Sequence, residues 1–362
     1  MTRIVFLGDF LLERKVEVEF SDLDNLLCDA DLVIGNFEGV LRGGCTPVKK
    51  AGPTVHQCDE AVNAFKNMGI TAFTLCNNHA YDYGYQAHND TIQALSEAGI
   101  DFIESGTILT NYESGGRETK IFVACESHPV DFGSGLRDPL PKYMQLFSEE
   151  LVEGIVAAKQ DGFRVIVSVH AGLEMVRMPL SNMRRRYRDL VTAGADAVIG
   201  HHPHVPQGFE FINGRPIFYS LGNFLFCRKG KTMPNMNGMA VQLDLGEAGL
   251  EVTTFEISAG VSPNVMSVRQ SDFSTLNDML ADRQSYELML EEAYALHGRI
   301  LQASLPILRK RGFKEWIRLA INLVLRPKWW LERRALIRNL INENESYIGL
   351  NEEIIATGKL KL

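Results

Sequence analysis

Ala197-Val198-Ile199-Gly200-His201-His202-Pro203-His204-Val205 is the stretch around which the rest of the chain is organised. Its first four residues are apolar or small, as in a buried strand, and three histidines follow within four positions. In an extended chain, side chains alternate between faces, which puts His202 and His204 on the same side. Neutral imidazole is a good ligand for divalent ions, and two rings at the carboxyl end of a strand commonly hold one. Pro203 fixes φ between them. The competing reading is a polar turn with incidental histidines, or part of an affinity tag, which does not belong at mid-chain. The stretch therefore predicts metal binding.

Other predicted strands end in the same way. Ile4–Leu7 runs into Gly8-Asp9, and Asp31–Gly35 runs into Asn36-Phe37-Glu38. Ligands in α/β proteins gather at carboxyl ends of strands, although either polar end read alone serves equally as a turn, a cap or a solvated terminus. Ala72–Cys76 leads into Asn77-Asn78-His79-Ala80-Tyr81-Asp82, where an amide oxygen can ligate and His79 and Asp82 are spaced as an imidazole held by a carboxylate. Arg164–Val169 ends in His170, the third strand-end imidazole. His56, His88 and His128 have no such company and read as surface or structural residues.

Helices are expected at Glu60–Met68, Thr91–Ala98, Ser148–Lys159 and Met183–Ala193, with a hairpin around Gly246–Gly249. The arginine run 184–188 reads as a solvated face or, more sharply, as a contact for an anionic substrate. Arg185 and Arg188 are the arginines expected to meet the substrate, and Asn223, in the turn after Pro216–Leu221, is expected to join them. Strands alternating with helices, then closing antiparallel strands, predict an α/β sandwich with a mixed sheet. A boundary is expected near 262/263, with a helical region over 263–362.

The chain of 362 residues is 45% hydrophobic and 23% charged, an ordinary globular composition. Its six cysteines lack paired spacing, which fits a reducing compartment, and no apolar run reaches membrane length. A cytoplasmic location is therefore expected. Residues 300–340 carry ten Lys/Arg against Glu315 and Glu332, a local +8 that leaves −16 on the remainder of a chain whose total is −8. With Trp316, Trp329 and Trp330 among them, residues 306–340 are expected to contact an anionic membrane surface peripherally. The alternative is that these tryptophans pack the helical region and the charges are solvated. No nucleic-acid motif accompanies the charge, so a nucleic-acid partner is not expected.

Collected, the groups are Asp9, Asn36, Glu38, Asn78, His79, Asp82, His170, His202 and His204. Such a mixed N/O set exceeds what one tetrahedral ion needs and suits one or two divalent ions (Mn, Zn, Fe or Mg). In this order and spacing, together with Ser220-Leu221-Gly222-Asn223-Phe224, they resemble the CapA-type poly-γ-glutamate capsule proteins of the calcineurin-like metallophosphoesterase superfamily. The resemblance implies a four-layer α/β/β/α sandwich with a C-terminal helical extension. It further implies that Asp9 and His204 bind one ion, that Asn78, His170 and His202 bind another, and that Glu38 or Asn36 sits between. His79 takes the position of the catalytic histidine, with Asp82 beside it. One departure is Leu11, where the superfamily usually has a histidine. The function implied is a metal-dependent hydrolase of surface-polymer synthesis; the rival is a non-catalytic capsule-assembly or polymer-binding protein.

Overall fold

The computed structural model describes residues 1–16, 19–48, 53–104, 106–114, 117–126, 144–229, 237–247, 249–259 and 265–291. The chain forms two compact units, Met1–Asp282 and Arg283–Leu362. In the first, β1 (Thr2–Leu12), β2 (Glu19–Ser21), α1 (Leu23–Leu27), β3 (Leu32–Phe37), β4 (Val40–Leu41), β5 (His56–Gln57), α2 (Ala61–Asn67) and β6 (Ala72–Thr74) come first. There follow α3 (Gly84–Glu97), β7 (Asp101–Ile103), β8 (Gly106–Ser114), β9 (Arg117–Cys125), α4 (Glu149–Gln160), β10 (Arg164–His170) and α5 (Ser181–Ala193). The unit closes with β11 (Ala197–His201), β12 (Phe209–Ile212), β13 (Arg215–Phe218), β14 (Asn223–Cys227), β15 (Asn237–Gly246), β16 (Gly249–Ala259), β17 (Val265–Gln270) and α6 (Ser274–Ala281).

Two mixed sheets result. The first has order β2-β17-β16-β15-β1-β3-β6-β7, with β14 also parallel to β1, and the second has order β12-β13-β11-β10-β9-β8. Alternation along β1 divides its apolar residues between two layers. Ile4 and Phe6 join Ile34 from β3 and Ile121, Ile166, Ile199 and Phe218 from the second sheet, which makes the sandwich interior. Val5 and Leu7 face the other way and pack with Leu26, Val62, Phe65 and Leu95 from α1, α2 and α3. The second sheet is covered by α4 and α5, which bury Leu151, Ile155, Leu190 and Val191. The layers are therefore α/β/β/α, as the family resemblance implies. Strands buried on both faces read as unbroken apolar runs, which is how β10 and β11 look in the sequence.

Local signals account for most boundaries. Ser148 caps α4 through its side chain, which accepts from the Leu151 N–H at 3.3 Å, and Glu149 and Glu150 occupy the positive end of the helix. The expected hairpin is β15–β16, closed at Gly246–Gly249. Two expectations shift. Helix α3 begins at Gly84, well before Thr91, because it starts directly where the His79–Asp82 turn ends. The boundary expected at 262/263 falls between strands of one sheet: β17 pairs with β16 and β2, so the first unit runs on to Asp282. Of the second unit, residues 283–291 are helical. Among the described residues no helix is long and apolar enough to cross a membrane. The basic segment 306–340 lies outside the described residues, so its membrane contact remains an expectation from sequence.

The end of β11 depends on a close backbone approach. A Cβ on Gly200 would lie 2.1 Å from the Tyr219 carbonyl oxygen, and the Gly200 carbonyl accepts the Leu221 N–H at 2.9 Å. Gly200→Ala is therefore expected to force two backbones apart beside the histidines. The expected cost is about 1–3 kcal/mol, read as a fall of roughly 3–10 °C in the thermal midpoint. An unchanged midpoint would show that the approach is looser than the structure has it.

Candidate metal centre

Asp9 does not end its strand; β1 continues to Leu12. The pairing of β1 shifts register at Asp9/Phe10 against β14 and between Phe6 and Asp9 against β3. Such irregularities re-aim a side chain. Buried Gln57 fastens the bulge, donating from Nε2 to the carbonyls of Phe10 and Glu38, each at 2.8 Å, and accepting the Leu12 N–H at 2.7 Å. From β3, Asn36 donates its amide to Asp9 Oδ1 at 2.8 Å and to Glu38 Oε2 at 2.7 Å. Its own oxygen faces Thr74 Oγ1 and Asn77 Nδ2 at 3.4 and 3.3 Å.

The loop after β6 is shaped by Asn77, whose Oδ1 accepts the His79 N–H at 3.0 Å while its Nδ2 donates to the Phe37 carbonyl at 2.8 Å. This places His79 Nδ1 2.6 Å from Asp82 Oδ2 and leaves Nε2 3.8 Å from Glu38 Oε1. Asp82 Oδ2 also accepts the Val55 N–H at 2.7 Å, which holds the carboxylate in place. From the second sheet, His170 Nε2 lies 3.0 Å from Asn78 Oδ1, 3.1 Å from His202 Nδ1 and 3.8 Å from Glu38 Oε1. His204 Nδ1 lies 3.0 Å from both Asp9 Oδ2 and Asn223 Oδ1.

Among the described residues, two groups of side chains have ligand atoms within 4.8 Å of one another: Glu38 with His202 and His204, and Asp9 with Glu38 and His170. Glu38 belongs to both. Its Oε1 is a buried oxygen without a hydrogen bond among the described residues, an arrangement that costs free energy unless a cation satisfies it. The electrostatics agree. Burial, reinforced by the Asp9 charge, pushes the Glu38 carboxyl from 4.5 up to about 8. Burial would raise Asp9 too, but hydrogen bonds from His201 and His204 outweigh it and hold Asp9 well below its ordinary value. His204, which burial alone would lower, is carried up to about 9 by the hydrogen bond and charge of Asp9. Two carboxylates and imidazoles at these spacings fit one or two divalent ions.

Comparison with known proteins bears on this edge of the sandwich. Residues 3–228, which include every residue named in the centre, match the bacterial capsule synthesis protein PGA_cap family. The chain belongs to that family. Among its PGA_cap relatives, the capsule biosynthesis protein CapA of Bacillus anthracis is 31% identical over 293 residues, covering 73% of this chain and 69% of that one. The PGA biosynthesis protein CapA of Bacillus subtilis is also 31% identical, over 237 residues and 61% of this chain; the match spans 62% of that protein, less than two thirds of its length. Among solved structures, a hypothetical protein from Thermus thermophilus is 18% identical with a TM-score of 0.40, covering 70% of this chain and 99% of its own.

Within the PGA_cap region the remaining candidates have these surroundings. Asn36, expected among the ligands, donates its amide to Asp9 Oδ1 and Glu38 Oε2 and so stands between the two carboxylates. Arg188, expected to meet substrate, is taken up by Glu210 through bonds of 2.7 and 2.6 Å, and Arg184 joins the same carboxylate at 3.0 Å. Arg185 is exposed on α5, a helix of the covering layer. Asn223, also expected at the substrate, stands beside His204 and pairs in register with Asp9.

His202 and His204 do come to one side, their ring centroids 5.9 Å apart, but not by strand alternation. Their φ values are +99° and +59°, so a turn with left-handed residues brings the rings together. Sequence reasoning missed His201, the last residue of β11, whose Nδ1 lies 3.3 Å from Asp9 Oδ1. Alternation sets it on the face opposite His202, and the left-handed turn that follows brings His204 to the same aspartate.

Proposed function

We propose that this chain is a metal-dependent hydrolase serving surface-polymer synthesis of the poly-γ-glutamate type, acting on a phosphoester or a γ-glutamyl amide of an anionic substrate. The observation that carries the reading is Glu38: it belongs to both ligand groups, and its buried Oε1 lies 3.8 Å from Nε2 of a histidine already oriented by a carboxylate. Asp9, Glu38, Asn78, His170, His202 and His204 would hold the ions, which supply a Lewis acid and lower the pKa of water. The remaining work falls to the chain. Asp82 accepts from Nδ1–H of His79 and stabilises the doubly protonated ring, so that the proton on Nε2 is the one handed to the leaving group, which leaves His79 neutral with its hydrogen on Nδ1. Asn77 and Val55 keep that pair from rotating. His201 brings an imidazole to Asp9 from β11, beside a strand whose Leu11 offers none.

The capsule names of the Bacillus relatives support the pathway, and Mn²⁺ or Zn²⁺ suits the donor set. Leu11 favours a second reading, a polymer-assembly protein that keeps one structural ion. Metal analysis of purified chain, with hydrolysis of an aryl phosphate and of a γ-linked glutamate oligomer measured before and after chelation, separates them. The hydrolase reading expects bound divalent metal and turnover that chelation abolishes and added metal restores. Metal without turnover of either substrate would favour the assembly protein.

A further inference from the structure

Of the arginines expected to meet an anionic substrate, Arg188 is held by Glu210 and Arg185 is exposed on α5, whereas a different set of basic groups borders the His79–Asp82 pair. Asp82 holds the Val55 N–H, so the chain entering β5 lies along the pair. Tyr83, the next residue after Asp82, directs its hydroxyl to His56 Nδ1 at 3.2 Å, with the rings edge to face at 5.4 Å. The guanidinium of Arg42 lies 5.9 Å from the centroid of the same Tyr83 ring, on an exposed residue. On the other flank the ends of β1 and β14 meet. Glu13 donates its N–H to the Cys227 carbonyl at 2.9 Å and accepts the Lys229 N–H at 2.7 Å, with Arg228 Nε 3.7 Å from the same oxygen.

The N–H of Cys58, bonded to the Leu12 carbonyl, ties these flanks together. His56 stands between them: burial lowers its pKa first, and the charges of Arg42 and Lys229 both lower it further, against Glu13 and Asp59. Glu13 is occupied by Arg228 and by the backbone, whereas neither Arg42 nor Lys229 forms an ion pair with a described residue. Two cations thus border the His56–Tyr83 pair, one residue beyond the carboxylate that orients His79.

We propose that Arg42, His56, Tyr83 and Lys229 form a carboxylate-binding subsite that takes the part of an anionic chain lying next to the bond cleaved. The position of that bond rests on the hydrolase reading above. An arginine fork and a lysine point charge offer charge-assisted bonds to carboxylates, and because both residues are exposed the desolvation cost is small. The Tyr83 ring under the Arg42 guanidinium limits its freedom, so less is lost when a carboxylate is bound.

The test uses the full, metal-loaded chain and a fluorescent γ-linked glutamate decamer. The double variant Arg42→Ala/Lys229→Ala is expected to bind it about tenfold more weakly at low salt, with a shallower salt dependence and with metal content and thermal midpoint at their wild-type values. Arg42→Lys/Lys229→Arg, which keeps both charges, is expected to recover most of the binding. The fully amidated decamer is expected to bind weakly and equally to all. Equal binding of the decamer by wild type and double variant, or equal binding of the decamer and its amidated form, overturns the subsite. So does stronger retention of a polyphosphate of the same charge, which would mark a phosphate site. A chain that shows the Arg42- and Lys229-dependent binding yet hydrolyses nothing defeats the hydrolase reading and leaves the subsite supported.

Discussion

His79→Ala is expected to retain bound metal and to lower turnover by roughly 10²–10⁴-fold, the usual contribution of a positioned acid or base. The separation of roles follows from geometry. His79 Nδ1 is committed to Asp82 at 2.6 Å, and its Nε2 stands 3.8 Å from Glu38 Oε1, too far for a hydrogen bond and facing the ligand cluster across a gap. Neither ligand group includes His79. His202→Ala should behave differently. Its Nδ1 is 3.1 Å from His170 Nε2, a distance that two rings aimed at one ion adopt, so metal and activity are expected to fall together. Asp82→Asn provides a second arm: an amide that donates toward Nδ1 favours the wrong tautomer, and turnover should drop with metal content unchanged. Metal analysis and steady-state kinetics on the same preparations read all three. If His79→Ala strips metal as thoroughly as His202→Ala, the roles are assigned wrongly.

The second large effect is expected at Glu38, and its sign depends on metal. Without metal, the folded Glu38 titrates at about 8 against an ordinary 4.5, so the unfolded chain gives up this proton at lower pH than the folded one. Stability carried by Glu38 is then present below about 4.5 and is lost as pH rises towards 8. His204 acts in the same direction, since its stabilisation is lost as pH rises from 6.5 through about 9. Glu38→Gln keeps an oxygen for Asn36 but removes the charge. Metal-free Glu38→Gln is therefore expected to be more stable than metal-free wild type by a few kcal/mol at pH 8, with little difference near pH 4. With Mn²⁺ or Zn²⁺ added the order reverses, because wild type gains stability from binding and the variant, without a carboxylate common to both ligand groups, does not. Denaturant unfolding across pH, with and without metal, checks both halves. Equal metal-induced stabilisation of wild type and Glu38→Gln would remove Glu38 from the centre.

Family and layering were legible in the sequence because they depend on local patterns. Apolar runs such as Val165–Val169 and Ala197–Ile199 specify strands buried on both faces. The polar residues that follow them mark the carboxyl edge, whatever the neighbouring strand turns out to be. Asp9, Glu38, Asn78, His79, His170, His202 and His204 could therefore be named as a group before any pairing was known. What each of them does is a question of distances across the sandwich, and these depend on register and on left-handed turns that composition does not encode. Only the bulge at Asp9/Phe10 aims the aspartate, only the positive φ of His202 and His204 brings His204 to the aspartate that His201 already meets, and only the pairing of β3 with β1 turns Asn36 into a donor between two carboxylates. The arginines show the same limit. The run at 184–188 was conspicuous along the chain, yet Glu210, on strand β12, takes up Arg188 of helix α5, while Arg42 and Lys229, 187 positions apart, are drawn to one histidine by the fold. Sequence determines which groups a chain can present; electrostatic and hydrogen-bonding roles are decided by which backbones lie side by side, because those interactions fall off within a few ångströms.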